Sequence, residues 1–176
     1  MKIKLKDNSE IELQEKASVL DLAKAISEGL ARNAMAGEVN GEVKDLRHEL
    51  KEGDQVNILT FDSENGKKAY WHTTSHILAQ AVKRIFPDVK LAIGPAIDNG
   101  FYYDFDVEKP FSEEDLQKLE AEIKKIIKED LEIKRFVLSR EEALKLMKER
   151  KEDYKVELIE DYLWVKKYLS INKVNL

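Results

Sequence analysis

At the start of the chain Ile3 and Leu5 alternate with lysines, and Ile11 and Leu13 alternate again after an Asp7-Asn8-Ser9 turn. Period-two spacing on both sides of a turn predicts a β-hairpin. The spacing then changes: Val19, Leu22, Ala23, Ile26 and Leu30 recur every three or four residues and predict a helix reaching Leu30. Ser18 with Asp21 three positions on resembles a capping box at its start. Asn40-Gly41 between short apolar stretches signals a second hairpin. "KEGDQVNILT" reads as a turn and then a strand with Val56 and Ile58 on one face. Strands around one helix over residues 1–61 predict a compact α+β domain of the β-grasp kind.

Small and polar residues from Phe61 to Ala69 break the pattern, so residues 62–71 are read as a linker. Residues 72–161 form a second unit. It opens with a helix in "WHTTSHILAQAVKRIF", ended by Pro87. Asn99-Gly100 turns the chain. "FYYDFD" then reads as one strand, with Phe101, Tyr103 and Phe105 on one face and Tyr102, Asp104 and Asp106 on the other. A second helix follows Ser112, with acids at its start, lysines near its end and a buried stripe of Leu116, Leu119, Ile123, Ile126 and Ile127. "LEIKRFVL" alternates as a strand, Ser139 and Glu142 cap another helix, and "YKVELIED" alternates as one more strand.

Composition narrows the function classes. A net charge of −5 argues against coating nucleic acid by bulk electrostatics, while leaving room for a local basic patch. The chain has no cysteine, hence no disulfide, and a reduced cytoplasmic compartment is expected. The first residues lack the apolar core of a signal peptide, and no run is long enough to span a membrane.

The candidate chemistry lies in the histidine helix. At about 100° per residue, His72, His76, Ala79 and Lys83 share one side. Ile77, Leu78, Ala81, Val82 and Ile85 share the opposite, core-facing side. The histidines then face solvent or a groove, with Ala79 leaving room beside them. Two imidazoles on one face make a general-base or hydrogen-bonding pair, or polar residues on a solvated face. Two ligands without cysteine are too few for a metal site, so no metal is expected.

The stretch "HTTSHILAQAVKRIFPDVKLAIGPAIDNGFYYDFD", with "EGDQVNILT" before it and "YKVELIED" after it, resembles the N-terminal region of bacterial threonyl-tRNA synthetase. The resemblance runs from Met1 to about Asp161. It implies a β-grasp (ubiquitin-like) TGS domain followed by an incomplete α+β editing domain of the threonyl/alanyl-tRNA synthetase type. It implies that His72, His76 and Lys155 are catalytic, the two histidines holding a mischarged seryl ester and its attacking water and Lys155 polarising or anchoring nearby, and that Gly94, Tyr103 and Asp98 line the substrate pocket. The implied partner is the acceptor end of threonine tRNA; neither DNA nor a membrane is expected. The parent family is dimeric through a domain outside this chain.

Residues 162–176 depart from the family, and the cysteine and histidine, four residues apart, that complete its editing site are absent. The resemblance thus implies a truncated or frameshifted synthetase with no cofactor of its own, since ATP, magnesium and zinc belong to the family's aminoacylation domain. Such a chain is not expected to attach threonine to tRNA. Two other functions remain open: a freestanding RNA-binding TGS module without catalysis, and a trans-editing deacylase. Leu163 and Val165 are among the tail residues expected to cover the unfinished sheet.

Overall fold

The computed structural model describes residues 1–131, 134–161 and 168–173; Glu132, Ile133, Leu163 and Val165 lie outside the described residues. The chain divides into two compact units, Met1–His72 with Ala96–Asp98, and Thr73–Pro95 with the residues from Asn99 on. Among the described residues no helix is long and apolar enough to cross a membrane.

In the first unit the two alternating stretches form β1 (Lys2–Leu5) and β2 (Glu10–Glu12), paired antiparallel. Three further strands complete a sheet: β3 (Ala34–Val39), β4 (Glu42–Lys44) and β5 (Gln55–Thr60), in the order β2-β1-β5-β3-β4. β1 and β5 run parallel, and the other neighbours are antiparallel. Helix α1 (Val19–Ile26) packs on this sheet, burying Val19 and Leu22 with Ile3, Val39, Leu50 and Val56. That is the β-grasp arrangement. The hairpin at Asn40-Gly41 forms as expected, with φ of 52° and 83° as a tight two-residue connection requires. Gly37 is a point of close approach: a Cβ there would lie 2.5 Å from Val19 Cγ1.

The expected helix to Leu30 is in fact two. Ser27 is extended (φ −169°, ψ 148°), ending α1 and capping α2 (Glu28–Asn33) by accepting from Leu30 N–H at 3.0 Å. A hydroxyl able to cap outcompetes continuation of the stripe here. Ser63 does the same in the segment read as linker. Its Oγ accepts from Gly66 N–H and donates to the Thr60 carbonyl, so α3 (Glu64–Ile85) begins well before the histidines.

The rest of the chain runs β6 (Lys90–Leu91), β7 (Ala96–Ile97), β8 (Gly100–Phe101), β9 (Phe105–Asp106), α4 (Glu113–Glu129), β10 (Lys134–Ser139), α5 (Arg140–Glu149), α6 (Asp153–Asp161) and β11 (Tyr168–Lys173). The core of the second unit joins Ala81 and Val82 of α3 to Leu119 and Ile126 of α4. Arg84 clamps the same helices, donating to both carboxylate oxygens of Glu129 at 2.7 Å. The α4 stripe is narrower than the spacing predicts: Leu116 and Ile127 are exposed. A smaller core joins Ala143 and Met147 of α5 to Ile159 of α6, and β11 pairs antiparallel with β10.

Two further elements differ from expectation. "FYYDFD" is broken between β8 and β9, although its alternation of half-buried and exposed residues holds from Phe101 to Asp106. "YKVELIED" is helical. Its period-two pattern came from Tyr154 and Leu158, which are exposed, whereas Val156 and Ile159, three apart, face the core.

Candidate functional site

The two histidines lie one turn apart on α3, on opposite sides of the division between the units. His72 is exposed and His76 half-buried. The expected core face of the helix forms, with Ile77, Leu78 and Ile85 packed around Ala81 and Val82. The opposite side is not open along its length. Ala79, expected to leave space, is buried, as are Ser75 and Gln80. Lys83, further down that side, donates from Nζ to the carbonyls of Pro87 and Val89 at 3.1 Å each. Of the four residues that define this face, His72 is the exposed one.

Ser75 shows what covers the helix. Its Oγ donates to the Gly94 carbonyl at 3.0 Å, tying α3 to the segment that follows β6. Backbone bonds from Ala92 N–H to Asp104 O and from Asp104 N–H to Ile93 O prolong the β6–β9 pairing to this point. Gly94 therefore faces Tyr103. A Cβ at position 94 would lie 2.1 Å from Tyr103 Cδ2, so a glycine is what lets the ring sit there. The ring stacks on Phe105 with centroids 4.8 Å apart and planes at 17°. Burial, and secondarily the negative charge of Glu152, pushes the Tyr103 hydroxyl above its ordinary value.

Lys155 stands in the first turn of α6 instead of on the expected strand. Two side-chain contacts dock this turn on the β6–β9 pair: Tyr154 Oη donates to Asp106 at 2.9 Å, and Lys90 pairs with Asp153 at 2.9 Å. Immediately before the helix, Glu152 is 5 % exposed, and its carboxylate lies 3.2 Å from Lys155 Nζ and 3.9 Å from Lys83 Nζ.

The second unit contains four of the six residues singled out from sequence and links three of them, Gly94, Tyr103 and Lys155. Ser75, next to His76, holds Gly94; Gly94 holds Tyr103; and Glu152 joins the surroundings of Tyr103 to Lys155. His72 and Asp98 belong to the first unit, where both are exposed and the charge of Asp98 reaches Lys68. Ser75 and Glu152 were missed by sequence reasoning. Ser75 had a faint signal, a hydroxyl between two histidines; Glu152 is one acid in the charged run "ERKEDYK" and had none.

The half-buried Tyr103 phenol and the Lys155 ammonium are both within the reach of the Glu152 charge, and such donors suit an anion or a developing oxyanion. Among the described residues no group of three or more His, Cys, Asp or Glu side chains is placed to hold a metal. A cavity of about 460 Å³ beside Leu30 and Phe61, and one of about 350 Å³ beside Phe136 and Leu146, are lined by none of the six residues.

Residues 1–60 match the family described as "TGS domain". Over 161 residues, 92% of this chain, the sequence is 66% identical to the threonine–tRNA ligase of Acetivibrio thermocellus. It is 58% identical to that of Caldanaerobacter subterraneus subsp. tengcongensis and 60% to that of Clostridium perfringens over the same length. The chain spans about a quarter of the length of these relatives (25% in each case). With a TGS domain in residues 1–60 and this identity beyond it, the chain corresponds in sequence to the N-terminal region of the bacterial threonine–tRNA ligases.

Proposed function

We propose that this region binds the acceptor end of threonine tRNA and that its second unit is an editing domain, whose site hydrolyses serine wrongly attached to that tRNA. The observation that supports this reading is that Gly94 packs on Tyr103 and that Glu152 acts on both Tyr103 and Lys155, in the unit that also contains His76. A pocket distinguishing threonine from serine has one methyl group to work with, worth about 1–3 kcal/mol. A second, hydrolytic site supplies the remaining discrimination.

In the proposed reaction, His76, with His72 one turn before it, orients a water and takes its proton as the oxygen attacks the ester carbonyl. The Lys155 ammonium stabilises the tetrahedral oxyanion. Collapse breaks the bond between the acyl carbon and the ribose oxygen, which regains a proton, releasing serine and an uncharged tRNA. Gly94 and Tyr103 form the pocket wall, and Asp98 contributes to substrate binding. Attachment of threonine, with its ATP, magnesium and zinc, is assigned to the three quarters of the relatives' length outside the match.

Serine-charged threonine tRNA incubated with the chain is expected to lose serine faster than in buffer, with His76→Ala returning the rate to background. Binding without hydrolysis, unchanged in His72→Ala, favours the alternative of an RNA-binding module without chemistry.

A further inference from the structure

We propose that Glu152 is a positioning residue whose buried carboxylate holds the Lys155 ammonium in place, with Lys83 as a second cation on the same group. The inference rests on the editing role given to Lys155 above. Geometry sets Glu152 apart from the other acids. Its N–H donates to the Met147 carbonyl at 3.0 Å, and its own carbonyl accepts from the N–H groups of Lys155 and Val156 at 3.0 Å each. The backbone is therefore fixed between the end of α5 and the start of α6, and the side chain is 95 % buried as a result.

Burying a carboxylate is costly unless cations and hydrogen bonds compensate it. Compensation is incomplete among the described residues: Oε2 is 3.2 Å from Lys155 Nζ but accepts no hydrogen bond from them, and Oε1 is 3.9 Å from Lys83 Nζ. An apolar residue would fill this position with less penalty, so an acid in this place is better explained by what it holds than by stability. Lys83 is already fastened to the loop after α3 through Pro87 and Val89. Glu152 thereby anchors a long, flexible lysine to a rigid point, while its charge also acts on Tyr103. The two cations leave the triad with net positive charge, the sign an oxyanion or a phosphate needs.

Side-chain NMR of the full chain, labelled at lysine Cε, tests this directly. Lys155 is expected to be more ordered than the exposed Lys145 and Lys148. Glu152→Gln should bring it to their level, Glu152→Asp should keep part of the order, and the methyl resonances of Ala143, Met147 and Ile159 should stay in place. The inference is overturned if Lys155 is as mobile as Lys145 in the unaltered chain, if Glu152→Gln leaves its order unchanged, or if the core methyls shift with it. A non-hydrolysable probe, adenosine carrying serine through a 3′-amide, reports on the site itself. Its affinity is expected to fall about tenfold in Glu152→Gln, the scale of one charge-assisted contact, and to recover in part in Glu152→Asp. An unaltered chain that does not bind the probe defeats the editing reading, and the lysine order then decides the positioning inference by itself.

Discussion

At the scale of single residues, Gly94 and Tyr103 form the tightest packing constraint at the candidate site. The ring lies where a Cβ on residue 94 would have to be, and its stacking on Phe105 restricts its retreat. Gly94→Ala should therefore displace the ring and lower stability by about 1–3 kcal/mol, the usual penalty of overpacking; urea unfolding measures it, and a loss below about 0.5 kcal/mol would contradict the close approach. The pH dependence gives a second readout. Tyr103 holds its proton more tightly folded than unfolded because burial disfavours the phenolate. Its stabilising contribution is complete below the unfolded value near pH 10 and is lost as pH rises through the folded one. Gly94→Ala, by exposing the ring, should flatten that alkaline loss of stability.

At the scale of elements, capping side chains decided where helices begin and end. Ser18, Ser112 and Ser139 form full capping boxes with Asp21, Asp115 and Glu142, and these three were legible because an acid follows each serine at the right distance. Ser27 and Ser63 lack that reciprocal acid, and both were missed. Ser27→Ala should cost about 1 kcal/mol and fray α2, whereas Ser27→Asp should keep the cap; urea midpoints and the amide exchange of Leu30 distinguish the two. The β-grasp strands were legible because their alternation matched the burial that resulted, with Ile3 and Val56 in the core. α6 was not, since the exposed Tyr154 and Leu158 imitated a strand. Of the candidate site, the α3 positions and the Gly94–Tyr103 segment could be placed from local pattern. The helical setting of Lys155 and the burial of Glu152 depend on how α5, α6 and the β6–β9 pair meet, which no local spacing encodes.

At the scale of the whole molecule, the first unit contains a complete core. Ile3, Val19, Leu22, Val39, Leu50 and Val56, and the partly buried residues packed on them, all lie within the residues that match the TGS family. A fragment of residues 1–61 should therefore fold alone, giving dispersed amide resonances and a cooperative urea transition. Its margin should be small, because a single core in so short a chain supplies roughly 3–5 kcal/mol. Gly37→Ala probes that margin where α1 meets the sheet. The added methyl would lie 2.5 Å from Val19 Cγ1, so the helix must lift or Val19 must leave its rotamer. A loss of about 1–3 kcal/mol would remove a large share of that margin and lower the urea midpoint of the fragment accordingly. In the full chain the same substitution should shift resonances around Val19 and Val39 while those of Met147 and Ile159, which belong to a separate core, remain in place. If the Met147 and Ile159 resonances moved as well, the two cores would be one cooperative body, and the TGS domain could not be altered without also altering the candidate site in the second unit.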